Sequence, residues 1–233
     1  MERYWEVDFT RGLAILMMLL SNFITDLQYF FNYNNHEVFW WFFARATAFM
    51  FIFLVGVSLT LSFSRVKHKP KIFKKYFVRG SKTLGLGILI TIASLLFIPS
   101  DYIIFGILHF IGISIILAYP FLKFKKSIPL ATGLIIITLG FLAEKIHLNS
   151  NYLFWLGLVS KNFSSIDFFP LLPWLGVVLL GIWFGKTIYP KGKRQFEIQF
   201  SENKISTLGR HSLYIYLAHQ PIILGILFLI TKI

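Results

Sequence analysis

Val7-Asp8-Phe9-Thr10-Arg11-Gly12-Leu13-Ala14-Ile15-Leu16-Met17-Met18-Leu19-Leu20-Ser21-Asn22-Phe23-Ile24-Thr25-Asp26 is apolar enough to cross a bilayer, yet it holds two carboxylates, an arginine and an asparagine. At 100° per residue, Asp8, Arg11, Asn22 and Asp26 fall within about 60° of arc on a helix. Asp8 and Asp26 share almost one azimuth, five turns apart. Ionisable groups inside a span are costly, so by default they face the bundle interior and mark a function. The competing structural reading pairs Asp8 with Arg11 at i,i+3 and uses Asn22 to hydrogen-bond helices together.

Outward from this stretch, apolar runs near spanning length recur along all 233 residues, of which 56% are hydrophobic and only 14% charged. A soluble domain would be about a quarter charged. The expected fold is therefore all-α, a polytopic membrane helix bundle of about seven transmembrane helices forming one domain over residues 1–233. The spans run from about Asp8 to Phe31, Glu37 to Phe63, Gly80 to Ile98, Tyr102 to Leu122, Ser127 to Ala143, Phe168 to Tyr189 and Ser212 to Ile230. The first is expected to be a true span and not a removable signal peptide, since no small-residue cleavage site follows it.

The net charge of +13 does not point to nucleic acid, because its distribution follows the loops. Nineteen of the 23 basic residues lie in alternate connections: the N-terminus, Arg65 to Lys82, Lys123 to Lys126, and Lys186 to Arg210. Under the positive-inside rule these are cytoplasmic, which places the N-terminus inside and the C-terminus outside. The chain is expected to be a multi-pass protein of the cell membrane, its partners including the bilayer itself. Zero cysteines exclude disulfides, thiolate metal sites and thiol nucleophiles.

Among the intramembrane charges, Arg45 lies at a depth like that of Asp26 one hairpin away, so an Asp26–Arg45 structural ion pair is expected. His109 in the fourth span and His219 in the seventh, with His211 and Arg210 at the start of that helix and His36 in the outer hairpin, extend a polar path across the membrane. The bland reading of each is a hydrogen-bonded packing histidine. No metal is expected, because the histidines are dispersed and no His-x-x-x-His or Glu-x-x-His pair occurs.

The opening stretch also resembles the heparan-α-glucosaminide N-acetyltransferase catalytic-domain family, within a wider superfamily of transmembrane acyltransferases. Phe53 to Thr60, Gly106 to Gly112, Leu171 to Gly176 and Leu208 to Leu213 carry the resemblance onward in the same order. It implies transfer of an acetyl group from cytoplasmic acetyl-CoA, as co-substrate, to an amino sugar across the membrane. The superfamily places an arginine and, ten intervening residues later, a histidine on its first helix. Here those positions are Arg11 and Asn22. The glucosaminide branch has asparagine there too, with its catalytic histidine in the following luminal segment, which His36 matches best.

The expectation is thus an acetyl-CoA-dependent transmembrane N-acetyltransferase acting on a glycan or small amine at the outer face. His36 would be the base or transient acyl carrier, with Asn22 or a neutral His109 as oxyanion donor. Arg11, Arg79, Lys82 and Arg210 lie on the side where the CoA phosphates would arrive. A transporter or proton-coupled carrier using the same polar path is the alternative, and pairing of two copies is left open.

Overall fold

The computed structural model describes residues 4–33, 35–195 and 203–231. Among the described residues the chain is all-α, with helices α1 (Trp5–Phe31), α2 (Glu37–Val66), α3 (Ile72–Phe97), α4 (Ile107–Leu117), α5 (Tyr119–Lys123), α6 (Ser127–Ala143), α7 (Leu171–Ile188), α8 (Lys204–Arg210) and α9 (Ser212–Thr231). Five of them, α1, α2, α3, α7 and α9, are long and apolar enough to cross a membrane. The chain is an integral membrane protein.

The expected fourth and fifth spans are shorter than the others. α4 has 11 residues and α6 has 17. Tyr102 to Gly106 is non-helical, and the helix is interrupted at Ala118 just before Pro120. A proline has no N–H to offer the carbonyl four residues back, so a break there is expected. The short apolar run from Tyr152 to Val159 contains only a single 3₁₀ turn, Phe154–Leu156.

The backbone divides into two compact units, one comprising Met1–Leu54 and Glu197–Ile233, the other Val55–Phe196. The division falls inside α2. In the first unit α8 lies across the N-terminal half of α1. Glycines permit this: a Cβ on Gly12 would strike the Ile205 carbonyl, and one on Gly209 the Asp8 carbonyl. Asn203 caps α8 by accepting from Ser206 N–H at 3.0 Å. α9 also packs on α1, with Phe30 and Phe228 ring centroids 6.0 Å apart.

The second unit is assembled by the same device, small residues letting apolar helices approach closely. Gly80 of α3 meets Gly112 of α4, and Gly133 of α6 meets Gly176 of α7. Gly181 and Gly185, a small-xxx-small pair, find their partner in the second half of α2, at Gly56 and Thr60. Lys186 donates to the Phe121 carbonyl at 2.9 Å and to that of Phe124, so its charge neutralises exposed carbonyls where α5 ends.

The connections before α4 and α7 form a polar platform. Thr91 Oγ1 donates to the Ile103 carbonyl at 2.6 Å, and Ser165 Oγ to the Tyr102 carbonyl at 3.0 Å. Asp167 Oδ2 accepts from Ile107 N–H at 3.1 Å, capping α4. Burial pushes the Asp167 carboxyl up to about 6, against the opposing pull of that N–H.

Candidate functional site

The polar edge of α1 turns toward α9. Asn22 Nδ2 donates to His219 Nε2 at 2.6 Å. On the far side of the ring, Nδ1 bonds the Tyr216 carbonyl. A carbonyl can only accept, so Nδ1 carries the proton and Nε2 presents its lone pair to Asn22. His219 is thereby held as a neutral imidazole with its basic nitrogen facing α1. The ring is 7% exposed, which places this pair in the interior of the unit.

One turn further along α1, Asp26 Oδ1 accepts from Gln220 Nε2 at 2.7 Å. Asp26 is 5% exposed, and its second oxygen, Oδ2, is buried without a hydrogen-bond partner among the described residues. A buried carboxylate oxygen in that state is an acceptor awaiting a donor. Pro221 follows directly in α9 and removes one N–H from the ladder at the same level.

Near the other end of α1, Arg11 donates to Asp8 Oδ1 at 2.9 Å. Arg210 Nε lies 3.9 Å from Asp8 Oδ2. The Gly209–Asp8 crossing explains this, because it brings the next residue of α8 beside the carboxylate. Two guanidinium groups flank one carboxylate, which gives this trio a net positive charge. It lies eleven residues, about 16 Å, along the helix from Asn22.

The other candidates are placed differently. His36 is exposed in the α1–α2 connection with φ 54°, and its carbonyl accepts from Trp40 N–H at 3.1 Å as α2 begins. No hydrogen bond joins it to Asn22 among the described residues; Asn22 lies nine residues, about 14 Å, from the end of α1. The expected Asp26–Arg45 ion pair does not form there. Asp26 takes Gln220 instead, while Arg45 is exposed and lies 4.6 Å over the Trp41 ring. Aromatic stacking on its own helix supplies a partner without a buried carboxylate.

His109, Arg79 and Lys82 belong to the other compact unit. His109 is buried, stacked on Phe105 at 5.8 Å and 3.3 Å from Thr91 Oγ1. Arg79 and Lys82 are exposed on α3. Gly87 leaves room for the His109 ring, which is the environment of a packing histidine. Sequence reasoning set His219 on the polar path without assigning it a role, and it passed over Gln220. The available signal was a His-Gln pair directly before a proline inside an apolar helix.

A sequence model of the family described as heparan-alpha-glucosaminide N-acetyltransferase, catalytic, matches residues 3–221 of the 233. The chain belongs to this family. No curated protein and no solved structure matches the chain. The family match includes α1, α8 and α9 as far as Pro221, so it takes in both the Asn22–His219 pair and the Asp8–Arg11–Arg210 trio. As a member of this N-acetyltransferase family, the chain is a membrane transferase by class. Among the described residues no three metal-ligating side chains come together.

Proposed function

We propose that this family member transfers an acetyl group from cytoplasmic acetyl-CoA to an amine of a sugar or small molecule reaching it from the opposite face, with the α1–α9 seam as its reaction centre. The observation that carries the reading is the Asn22–His219 pair, a basic nitrogen on a buried ring and an amide donor facing one another. His219 Nε2 removes the proton as the amine nitrogen attacks the acetyl carbon. Asn22 Nδ2, displaced from that nitrogen, donates to the developing oxyanion. The C–S bond then breaks, and the proton passes from His219 to the leaving thiolate.

Asp26 Oδ2 accepts from the incoming amine and so orients it one turn from the pair. Arg11 and Arg210 take phosphate charge of the donor, Asp8 holding both guanidinium groups in place. The distance from this trio to Asn22 suits a thioester carried at the end of a long pantetheine arm. His36, at the hairpin surface, lies on the route by which the acceptor enters.

The test is transfer of labelled acetyl from acetyl-CoA to glucosamine by the full-length protein in liposomes, with wild type, His219→Ala and Asn22→Ala compared. Transfer that disappears in both variants supports the reading. Transfer unaffected by either variant removes the seam from the reaction. Solute flux without any binding of acetyl-CoA would make the chain a carrier instead.

A further inference from the structure

Within the first unit, an open hollow of about 620 Å³ lies where the last turns of α1 face the first turns of α2. Trp40 and Trp41 form its apolar walls, and Thr25, Gln28 and Glu37 supply hydroxyl, amide and carboxylate groups. Flat aromatic faces interspersed with a few polar groups suit a polyhydroxylated ring, whose C–H faces stack while its hydroxyls hydrogen-bond. Asp26, with its unpartnered oxygen, directly follows Thr25 in α1 but is turned about 100° from it and bonds Gln220 of α9.

Two features beside the hollow are not explained by a free sugar. Arg45 is exposed in a helix otherwise apolar enough to span, eight residues and about 12 Å from its start. Among the described residues no carboxylate pairs with it, and its guanidinium lies over Trp41, a wall of the hollow. A cation held at that depth complements a phosphate brought there by an amphiphile. Along the same face, Val38, Phe42 and Phe49 are exposed at helical spacing, an apolar track for a hydrocarbon chain.

We infer that the α1–α2 hairpin binds a sugar carried on a lipid through a phosphate, the sugar in the tryptophan-walled hollow, the phosphate on Arg45 and the lipid chain along α2. This rests on the acetyltransferase reading and specifies its acceptor: a lipid-linked glycan presented from the bilayer. The alternatives are a water-soluble sugar, or ordinary bilayer lipid contacting Arg45.

The test uses the full-length protein in phosphatidylcholine nanodiscs, with radiolabelled farnesyl-phosphoryl glucosamine as probe. Saturable binding is expected, with free glucosamine at least about tenfold weaker, the scale of one charge-assisted contact. Arg45→Gln is expected to weaken the probe about tenfold, and Arg45→Lys much less. Trp40→Leu should weaken the probe while leaving farnesyl phosphate unaffected. Binding unchanged in Arg45→Gln overturns the inference, as does displacement of the probe by an equal concentration of phosphatidylglycerol. Acetyl-CoA binding, followed by thermal shift on the same samples, keeps the two readings separable. If the donor binds and the lipid-linked probe is acetylated equally by wild type and Arg45→Gln, the lipid-linked acceptor falls and the acetyltransferase stands. If the probe binds as expected but the donor does not, the acetyltransferase falls and the hairpin site stands.

Discussion

At His219 the decisive fact is the direction of its two hydrogen bonds. The Tyr216 carbonyl fixes the proton on Nδ1, so the nitrogen facing Asn22 is the basic one. Replacing His219 with Ala is therefore expected to lower kcat by about 10²–10⁴, the range for a lost general base. Asn22→Ala is expected to cost about 10²–10³ through the lost oxyanion donor. His36→Ala should stay within about threefold of wild type, since His36 lies beyond the end of α1 and acts on no group of the seam. Steady-state acetyl transfer by the three variants checks this; equal losses in His36→Ala and His219→Ala would return the base to the hairpin. That Arg11 and Asn22 share one edge of α1 was legible from sequence because a helix repeats its azimuth. The partner of Asn22 was not, because it lies 197 residues away and no local periodicity encodes which helix docks beside α1.

The elements meet where glycine removes the side chain. α8 can cross α1 only because Gly12 and Gly209 leave their carbonyl neighbours uncovered, and this crossing also places Arg210 at Asp8. Gly209→Val is expected to destabilise the protein by about 1–3 kcal/mol through overpacking. It should raise KM for the acyl donor together with that loss, because the arginine is displaced along with the helix. Donor saturation curves and thermal unfolding on one sample read both. An unchanged KM in a destabilised variant would separate Arg210 from donor binding.

The polar platform before α4 and α7 gives a pH dependence at the same scale. The Asp167 carboxyl stands at about 6 when folded, against an ordinary 3.8. Above pH 6 it is ionised in both states, and the folded state carries the cost of a desolvated charge. As pH falls through 6 the folded form takes up its proton first, so stability rises until the unfolded chain also protonates near 3.8. Asp167→Asn keeps the acceptor for Ile107 and removes the titration. The difference in Tm between wild type and variant is expected to change between pH 7 and pH 5 in favour of wild type. A difference that stays constant with pH would show that this group contributes nothing to the dependence.

For the whole molecule, the seven apolar segments were legible because a bilayer demands long runs without charge. Their crossing was less so. α4 with α5 covers Ile107 to Lys123, and α6 covers Ser127 to Ala143, each 17 residues from end to end. At 1.5 Å per residue each is about 26 Å long, somewhat short of a hydrocarbon core of about 30 Å. A short segment crosses by locally thinning the bilayer, at a modest cost per Å of mismatch. The lysines flanking their junction, Lys123, Lys125 and Lys126, favour keeping that junction with the other basic connections. The chain has no cysteine, so single cysteines report sidedness without a background to remove. Lys67→Cys and Lys125→Cys are expected to react with a membrane-impermeant maleimide only after permeabilisation of intact cells, and Asn35→Cys and Ser150→Cys before it. If positions 125 and 150 react from the same side, α6 does not cross and the chain has fewer spans than seven. If 35 and 67 react from the same side, α2 does not cross, and the hairpin carrying Trp40 and Arg45 would face the compartment of the acyl donor.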